Sequence, residues 1–207
     1  QIISINSGSV SLRIVGGHEL SGEITLKSSK NACVGLLCAS LLNQGTTKLK
    51  NVARIEEVNR IIEVIESIGV KVRWLPGNTL EIKPPKEFSM STLNRESAIK
   101  TRSAFMLAGP LMHYMDSFSL PYAGGCKLGK RTVLPHIYGL EEFGAHTDIK
   151  ASRYEFTVQR KLPKRSVVMY ESSDTATENV LFAASLTPGK TTIRMATANY
   201  MIQDVCL

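Results

Sequence analysis

Aromatic residues are scarce in this 207-residue chain, at 6% of positions and with a single tryptophan. The basic residues are not interleaved with aromatics, which argues against sequence-independent nucleic-acid binding by base stacking. Cysteine occurs only at positions 33, 38, 126 and 206, without a CxxC pair or a Cys/His cluster at zinc-ligand spacing. Reduced thiols and no metal site are therefore expected. No apolar run approaches the ~18 residues that would suggest a membrane span, and no basic segment leads into an apolar one as in a secretory signal. A cytoplasmic location is the resulting expectation. The chain opens on Gln1 and stops at Leu207 within an apolar pattern, so a fragment of something longer is also expected.

What is present is ordinary globular composition, 43% hydrophobic and 21% charged, enough for one or two domains. The formal charge of +7 is spread along the sequence. It fits an anionic ligand, a nucleic acid or simply a basic surface, and composition does not choose among them.

Helical periodicity is clearest over residues 55–69, where Ile55, Val58, Ile61, Ile62, Ile65 and Ile68 form one stripe that ends at Gly69. Asn31 to Leu42 is almost wholly apolar and reads as a buried helix with Ser29 as N-cap. Strands are expected at 11–15, 22–26 and 46–52, and as a hairpin at 70–75 and 79–83 around Pro76-Gly77-Asn78. The order then recurs: a long helix over 95–115, a strand at 118–122, a helix over 133–143, and strands near 146–151 and 153–160. A third round begins with a strand at 166–170 and a helix over 175–186, and breaks off after a strand at 191–195. Residues 38–52 (CASLLNQGTTKLKNV) and 179–196 (NVLFAASLTPGKTTIRMA) share letters as well as order. One supersecondary unit copied about three times is expected, near residues 20–90, 91–160 and an incomplete 161–207, in a single α+β domain over 1–207. Because the helices are the most apolar segments and the strands alternate, helices inside with sheets outside is the economical arrangement.

The chemistry-bearing stretch is Leu120 to His136, LPYAGGCKLGKRTVLPH. Cys126 follows two glycines and precedes Lys127, Lys130 and Arg131, and nearby cations favour the thiolate of an accessible cysteine. Two readings stand at this point, a reactive thiol on a tight turn and a small apolar filler.

SKNA at 29–32, TRSAFMLAGPL at 101–111, GGCKLG at 124–129 with Arg131 and His136, GLEEFGA at 139–145 and TATENVLFAASL at 175–186 resemble the enolpyruvyl transferases that act on UDP-N-acetylglucosamine. The likeness runs over nearly the whole chain and corresponds to the first of that family's two domains. It implies an inside-out, barrel-like domain of about three βαβαββ units, with substrates held against a second domain that is absent here. The implied reaction moves the enolpyruvyl group of phosphoenolpyruvate to the 3-hydroxyl of UDP-N-acetylglucosamine and releases phosphate. That is the first committed step of peptidoglycan precursor synthesis, and the target of fosfomycin. The resemblance assigns catalysis to Cys126 and substrate binding to Lys30, Asn31, Arg102, Arg131, His136 and Ser173. It implies no cofactor, no metal and no membrane or nucleic-acid partner, and it leaves the isolated chain inactive without the missing half. Each assignment has a plainer counterpart, from solvated surface charges for Lys30, Arg102 and Arg131 to a helix cap for Ser173. Departures from the family pattern include Thr132-Val133-Leu134 where Pro-Val-Asp is usual, which puts a uridine acceptor in question. Alternatives are a different nucleotide acceptor, a non-catalytic domain binding anions or nucleotide sugars, and an RNA 3′-phosphate cyclase-like enzyme.

Overall fold

The computed structural model describes residues 2–6, 9–12, 14–25, 28–122, 132–159 and 166–207. Strands β1 (Ile2–Asn6) and β2 (Ser9–Leu12) pair as an antiparallel hairpin. Residues 14–25 carry no regular element, and Ile14, Leu20 and Ile24 are 84%, 93% and 82% exposed. The strand expected from Gly22 onward is therefore missing over 22–25. Alternating apolar residues make a strand only when a neighbour completes the ladder, and none pairs with them among the described residues.

Helix α1 (Lys30–Ala39) starts where expected, because the Ser29 hydroxyl accepts a 3.4 Å hydrogen bond from the Ala32 N–H. It tightens into a 3₁₀ turn over Ser40–Leu42 and leads to β3 (Thr47–Leu49). Helix α2 (Glu56–Ser67) buries Val58, Ile61, Ile62 and Ile65, and Gly69 takes up φ +104° just beyond its end. That left-handed turn needs glycine and reverses the chain into β4 (Lys71–Leu75). The hairpin partner is β5 (Thr79–Lys83), and the sheet order is β3-β5-β4, antiparallel throughout. On β4 lies the sole tryptophan, Trp74, with the Arg54 guanidinium carbon 4.0 Å from its ring centroid.

The second round follows the first in order but not in helix continuity. One helix was expected over 95–115; instead α3 (Arg95–Lys100) ends at Thr101, whose φ −131° and ψ 124° are extended. A 3₁₀ segment over Arg102–Leu107 and the short α4 (Ala108–Leu111) follow. Strand β6 (Ser117–Pro121), helix α5 (Leu134–Glu141), β7 (Ala145–Ile149) and β8 (Arg153–Val158) complete it. Their sheet order is β6-β8-β7, so in both sheets the strand last in sequence sits in the middle.

In the third round β9 (Ser166–Val168) and β10 (Thr192–Arg194) pair in parallel across α6 (Asp174–Ser185), and α7 (Tyr200–Cys206) is capped by Asn199. Helix α6 is the axis of the core. Consecutive residues Glu178, Asn179 and Val180 seat against Gly35 of α1, Gly109 of α4 and Gly139 of α5, where any Cβ would overlap them. Glycine lets these backbones approach more closely than any side chain would allow. No helix of the described residues is long and apolar enough to cross a membrane.

Candidate functional site

Contacts link the starts of five helical segments one to the next, and the described residues singled out in the sequence lie at or near four of those starts. Lys30 is the first residue of α1, with exposed Asn31 beside it. Glu57 lies in the first turn of α2, Arg102 opens the 3₁₀ segment, Thr132 stands two residues before α5, and Ser173 is the N-cap residue of α6. Helix starts present unpaired N–H groups and a partial positive charge, so their gathering favours an anion.

Side chains tie one start to the next. Lys30 Nζ lies 2.6 Å from Glu57 Oε2, while Glu57 Oε1 accepts from the Ser103 hydroxyl at 2.6 Å and the Thr101 hydroxyl at 3.2 Å. Partial burial works against the Glu57 charge, but the hydrogen bonds from Lys30 and Ser103, the Lys30 charge and the Thr101 bond outweigh it. Together they hold the carboxyl below its ordinary range. Arg102 Nη2 donates to the Thr132 carbonyl at 2.6 Å.

His136 carries the line of contacts from α5 to α6. Its Nε2 is 3.2 Å from the Thr175 hydroxyl and its Nδ1 is 3.2 Å from Asn179 Nδ2, which donates to it. Asn179 also donates to the Phe105 carbonyl at 3.2 Å and accepts from the Gly109 N–H at 2.7 Å. The imidazole is 3% exposed and stands edge-on to Phe105 at 5.2 Å between centroids. Burial first, and the Arg102 charge second, lower its pKa to about 3, so the ring is neutral at physiological pH. Ser173 is half-buried and makes no side-chain capping bond, which leaves its hydroxyl outside the helix's own hydrogen bonding.

These contacts join Lys30, through Glu57, to the segment that Arg102 opens, Arg102 to Thr132, and His136 to the first turn of α6; Asn31 follows Lys30, and Ser173 is the N-cap residue of α6. Cys126 and Arg131 lie outside the described residues, which stop at Tyr122 and resume at Thr132. Both flanks are anchored: the Tyr122 N–H donates to the Ser152 carbonyl at 3.1 Å, and Thr132 is the residue held by Arg102. Sequence reading missed Glu57, Thr101, Ser103, Thr175 and Asn179. Glu57 is one of two adjacent glutamates on an ordinary amphipathic helix, and nothing in its spacing marks it. No group of three or more His, Cys, Asp or Glu among the described residues could hold a metal ion.

Comparison with known proteins decides the family: residues 14–206 match EPSP synthase (3-phosphoshikimate 1-carboxyvinyltransferase). The chain belongs to the EPSP synthase family. Among its relatives in that family, the UDP-N-acetylglucosamine 1-carboxyvinyltransferase of Bradyrhizobium diazoefficiens is 35% identical over 192 residues, covering 93% of this chain and 44% of the relative. The protein of the same name from Gloeobacter violaceus is 33% identical over 194 residues, covering 94% and 42%. The chain therefore spans less than half the length of these relatives. In fold it is similar to the enolpyruvyl transferase NikO from Streptomyces tendae, with a TM-score of 0.77 at 17% identity over 92% of this chain and 44% of that one. EPSP synthase from Acinetobacter baumannii aligns with a TM-score of 0.64 at 16% identity, covering 88% and 42%. The mixed helix and sheet content described above is thus that of an enolpyruvyl transferase fold.

Proposed function

We propose that this chain is one half of an enolpyruvyl transferase that moves the carboxyvinyl group of phosphoenolpyruvate to the 3-hydroxyl of UDP-N-acetylglucosamine and releases phosphate. The observation that carries the reading is the gathering of helix starts, with Lys30 and Arg102 among them and Thr132, at the end of the Cys126 segment, bonded to Arg102. The name shared by relatives at 31–35% identity supplies the reaction.

In this reading the Cys126 thiol gives a proton to C3 of phosphoenolpyruvate while C2 gains oxocarbenium character and the sugar hydroxyl attacks it. Loss of phosphate, which carries off the proton of the sugar hydroxyl, with the C3 proton returned to the Cys126 thiolate, restores the double bond in the product. Lys30 and Arg131 neutralise the carboxylate and phosphate, Arg as a two-pronged donor and Lys as a point charge. Arg102 adds a further anion contact, Asn31 meets the sugar, and the Ser173 hydroxyl with the start of α6 takes the diphosphate. His136 holds α5 to α6 through Thr175 and Asn179, and it meets ligand only if the ring turns out of those bonds. The substrates are cytoplasmic precursors of peptidoglycan, and the rest of the site comes from a second domain.

The units 20–90, 91–160 and 161–207 are read as copies of one βαβαββ motif, helices inward and sheets outward. The matching strand order of the two three-stranded sheets supports this. A different nucleotide acceptor is the second reading, favoured by the first turn of α5, which contains no acidic residue and begins with Leu134.

The test is phosphate release from phosphoenolpyruvate by the full-length protein. Release that requires UDP-N-acetylglucosamine and disappears in Cys126→Ala is the expected outcome. Release driven instead by another nucleotide sugar selects the second reading. No release with any nucleotide sugar overturns both.

A further inference from the structure

We propose that Glu57 is the positioning residue of this site: it sets the Lys30 ammonium and clamps the backbone on both sides of Arg102 for an anionic substrate. The inference rests on the enolpyruvyl transferase reading and adds a residue to it. Both carboxylate oxygens are used, and for different elements. Oε2 faces Lys30 Nζ at 2.6 Å, and Oε1 accepts from Ser103 at 2.6 Å and from Thr101 at 3.2 Å. Thr101 and Ser103 flank Arg102, so one side chain of α2 governs the two cations that the site draws from α1 and the 3₁₀ segment. The clamp also accounts for the helix break at Thr101, since its hydroxyl is bonded to Glu57 and its backbone is extended.

Exposure separates the partners by depth. The Glu57 side chain is 28% exposed and that of Lys30 48%, so the carboxylate lies beneath an ammonium that still faces solvent. An ammonium has three N–H donors, and one bond to Glu57 leaves two for a ligand. Neighbouring acids do other work. Glu56 bonds Arg60 at i,i+4, and Glu63 bonds Arg60 and Ser97. A partly exposed ion pair adds little to folding stability, so the effect of Glu57 belongs in ligand affinity.

Glu57→Gln separates these roles. The amide oxygen still accepts from Ser103 and Thr101, but the amide N–H groups then face the Lys30 ammonium, donor against donor, and the lysine swings away. In the full-length protein, the expected result is a rise of about tenfold in the Kd and KM for phosphoenolpyruvate, with kcat and Tm close to wild type. Acetylation of Lys30 by an amine-directed reagent, followed by mass spectrometry, should be faster in Glu57→Gln than in wild type. That readout needs no substrate. If Glu57→Gln fails to fold, Glu57→Asp, which keeps the charge but shortens the reach, should move affinity and labelling in the same directions. Phosphoenolpyruvate binding that is weakened in Lys30→Ala but unchanged in Glu57→Gln overturns the inference and leaves the proposed function standing. A wild-type protein that binds no phosphoenolpyruvate sinks the proposed function instead. Unchanged Lys30 labelling in Glu57→Gln overturns the positioning role whatever the activity.

Discussion

Glu178 is a residue whose acidity is strongly altered by its position. It is 2% exposed on α6, its Oε1 has no hydrogen-bond partner among the described residues, and an added Cβ on Gly35 would lie 2.5 Å from that oxygen. Burial, and then the Asp174 charge one turn earlier, push its pKa from 4.5 up to about 8. A carboxyl with a raised folded-state value favours folding fully below its unfolded value and loses that contribution as pH rises through its folded value. Stability should therefore decline from pH 4.5 to about 8 through this group. Glu178→Gln, neutral throughout, should flatten that decline and make the variant relatively more stable at the alkaline end, as read by urea unfolding over a pH series. His136 acts with the opposite sign. Its value falls from 6.5 to about 3, so its contribution is complete above pH 6.5 and is lost as pH falls toward 3. Neither shift was legible in the sequence. By resemblance, a histidine after the Gly-Gly-Cys loop reads as a ligand contact, and only the packing of α5 on α6 shows that its ring is sealed against Thr175, Asn179 and Phe105.

At the scale of elements, the α5–α6 contact depends on a missing side chain. A methyl on Gly139 would overlap Val180 Cγ2 but would lie an ordinary 3.7 Å from Val180 Cβ. Gly139→Ala should cost about 1–3 kcal/mol by overpacking, and should cost less in a Val180→Ala background, where only the Cβ remains. Gly109→Ala should find no such relief from Asn179→Ala, because the Asn179 backbone carbonyl itself would be 2.5 Å from the new methyl. Denaturant midpoints of the single and double variants measure both statements. The elements themselves were largely readable where one period dominates. The 3.6-residue stripe of α2 and the Pro-Gly-Asn hairpin appear within a residue or two of their expected bounds. The helix expected over 95–115 was not, because Thr101 and Ser103 spend their hydroxyls on Glu57, 44 and 46 residues away in sequence. Helix α7 was not anticipated, since its start is set by the Asn199 side chain accepting from Met201 and Ile202 N–H groups.

The linked starts of α1, α2, the 3₁₀ segment, α5 and α6 form one wall of the proposed site, and the proposed reaction needs a second. Relatives are more than twice as long as this chain, which covers 44% of the Bradyrhizobium protein. Under the proposed function, the 207-residue chain by itself should release phosphate from phosphoenolpyruvate poorly or not at all, and a longer protein that carries a second domain should do so readily. Equal rates from the two would show that the second wall is dispensable. The family-level fold was accessible to sequence reading because the Lys30-Asn31, Cys126 and Thr175–Leu186 motifs keep their order. The line of contacts joining them, Lys30 to Glu57 to Ser103 and Arg102 to Thr132, exists only once the helices are assembled.

Trp74 gives this molecule a built-in optical probe with a narrow field of view. It is the only indole in the chain, it lies on β4 of the first sheet, and a guanidinium sits over its ring. Its emission responds to the Arg54 stack, to the pairing of β4 and to its packing against the core, so tryptophan fluorescence follows the opening of the first sheet from that core. Because Trp74 also packs against the core that α6 shares, a tryptophan transition coincident with a backbone signal would show that the first sheet and α6 melt as one unit.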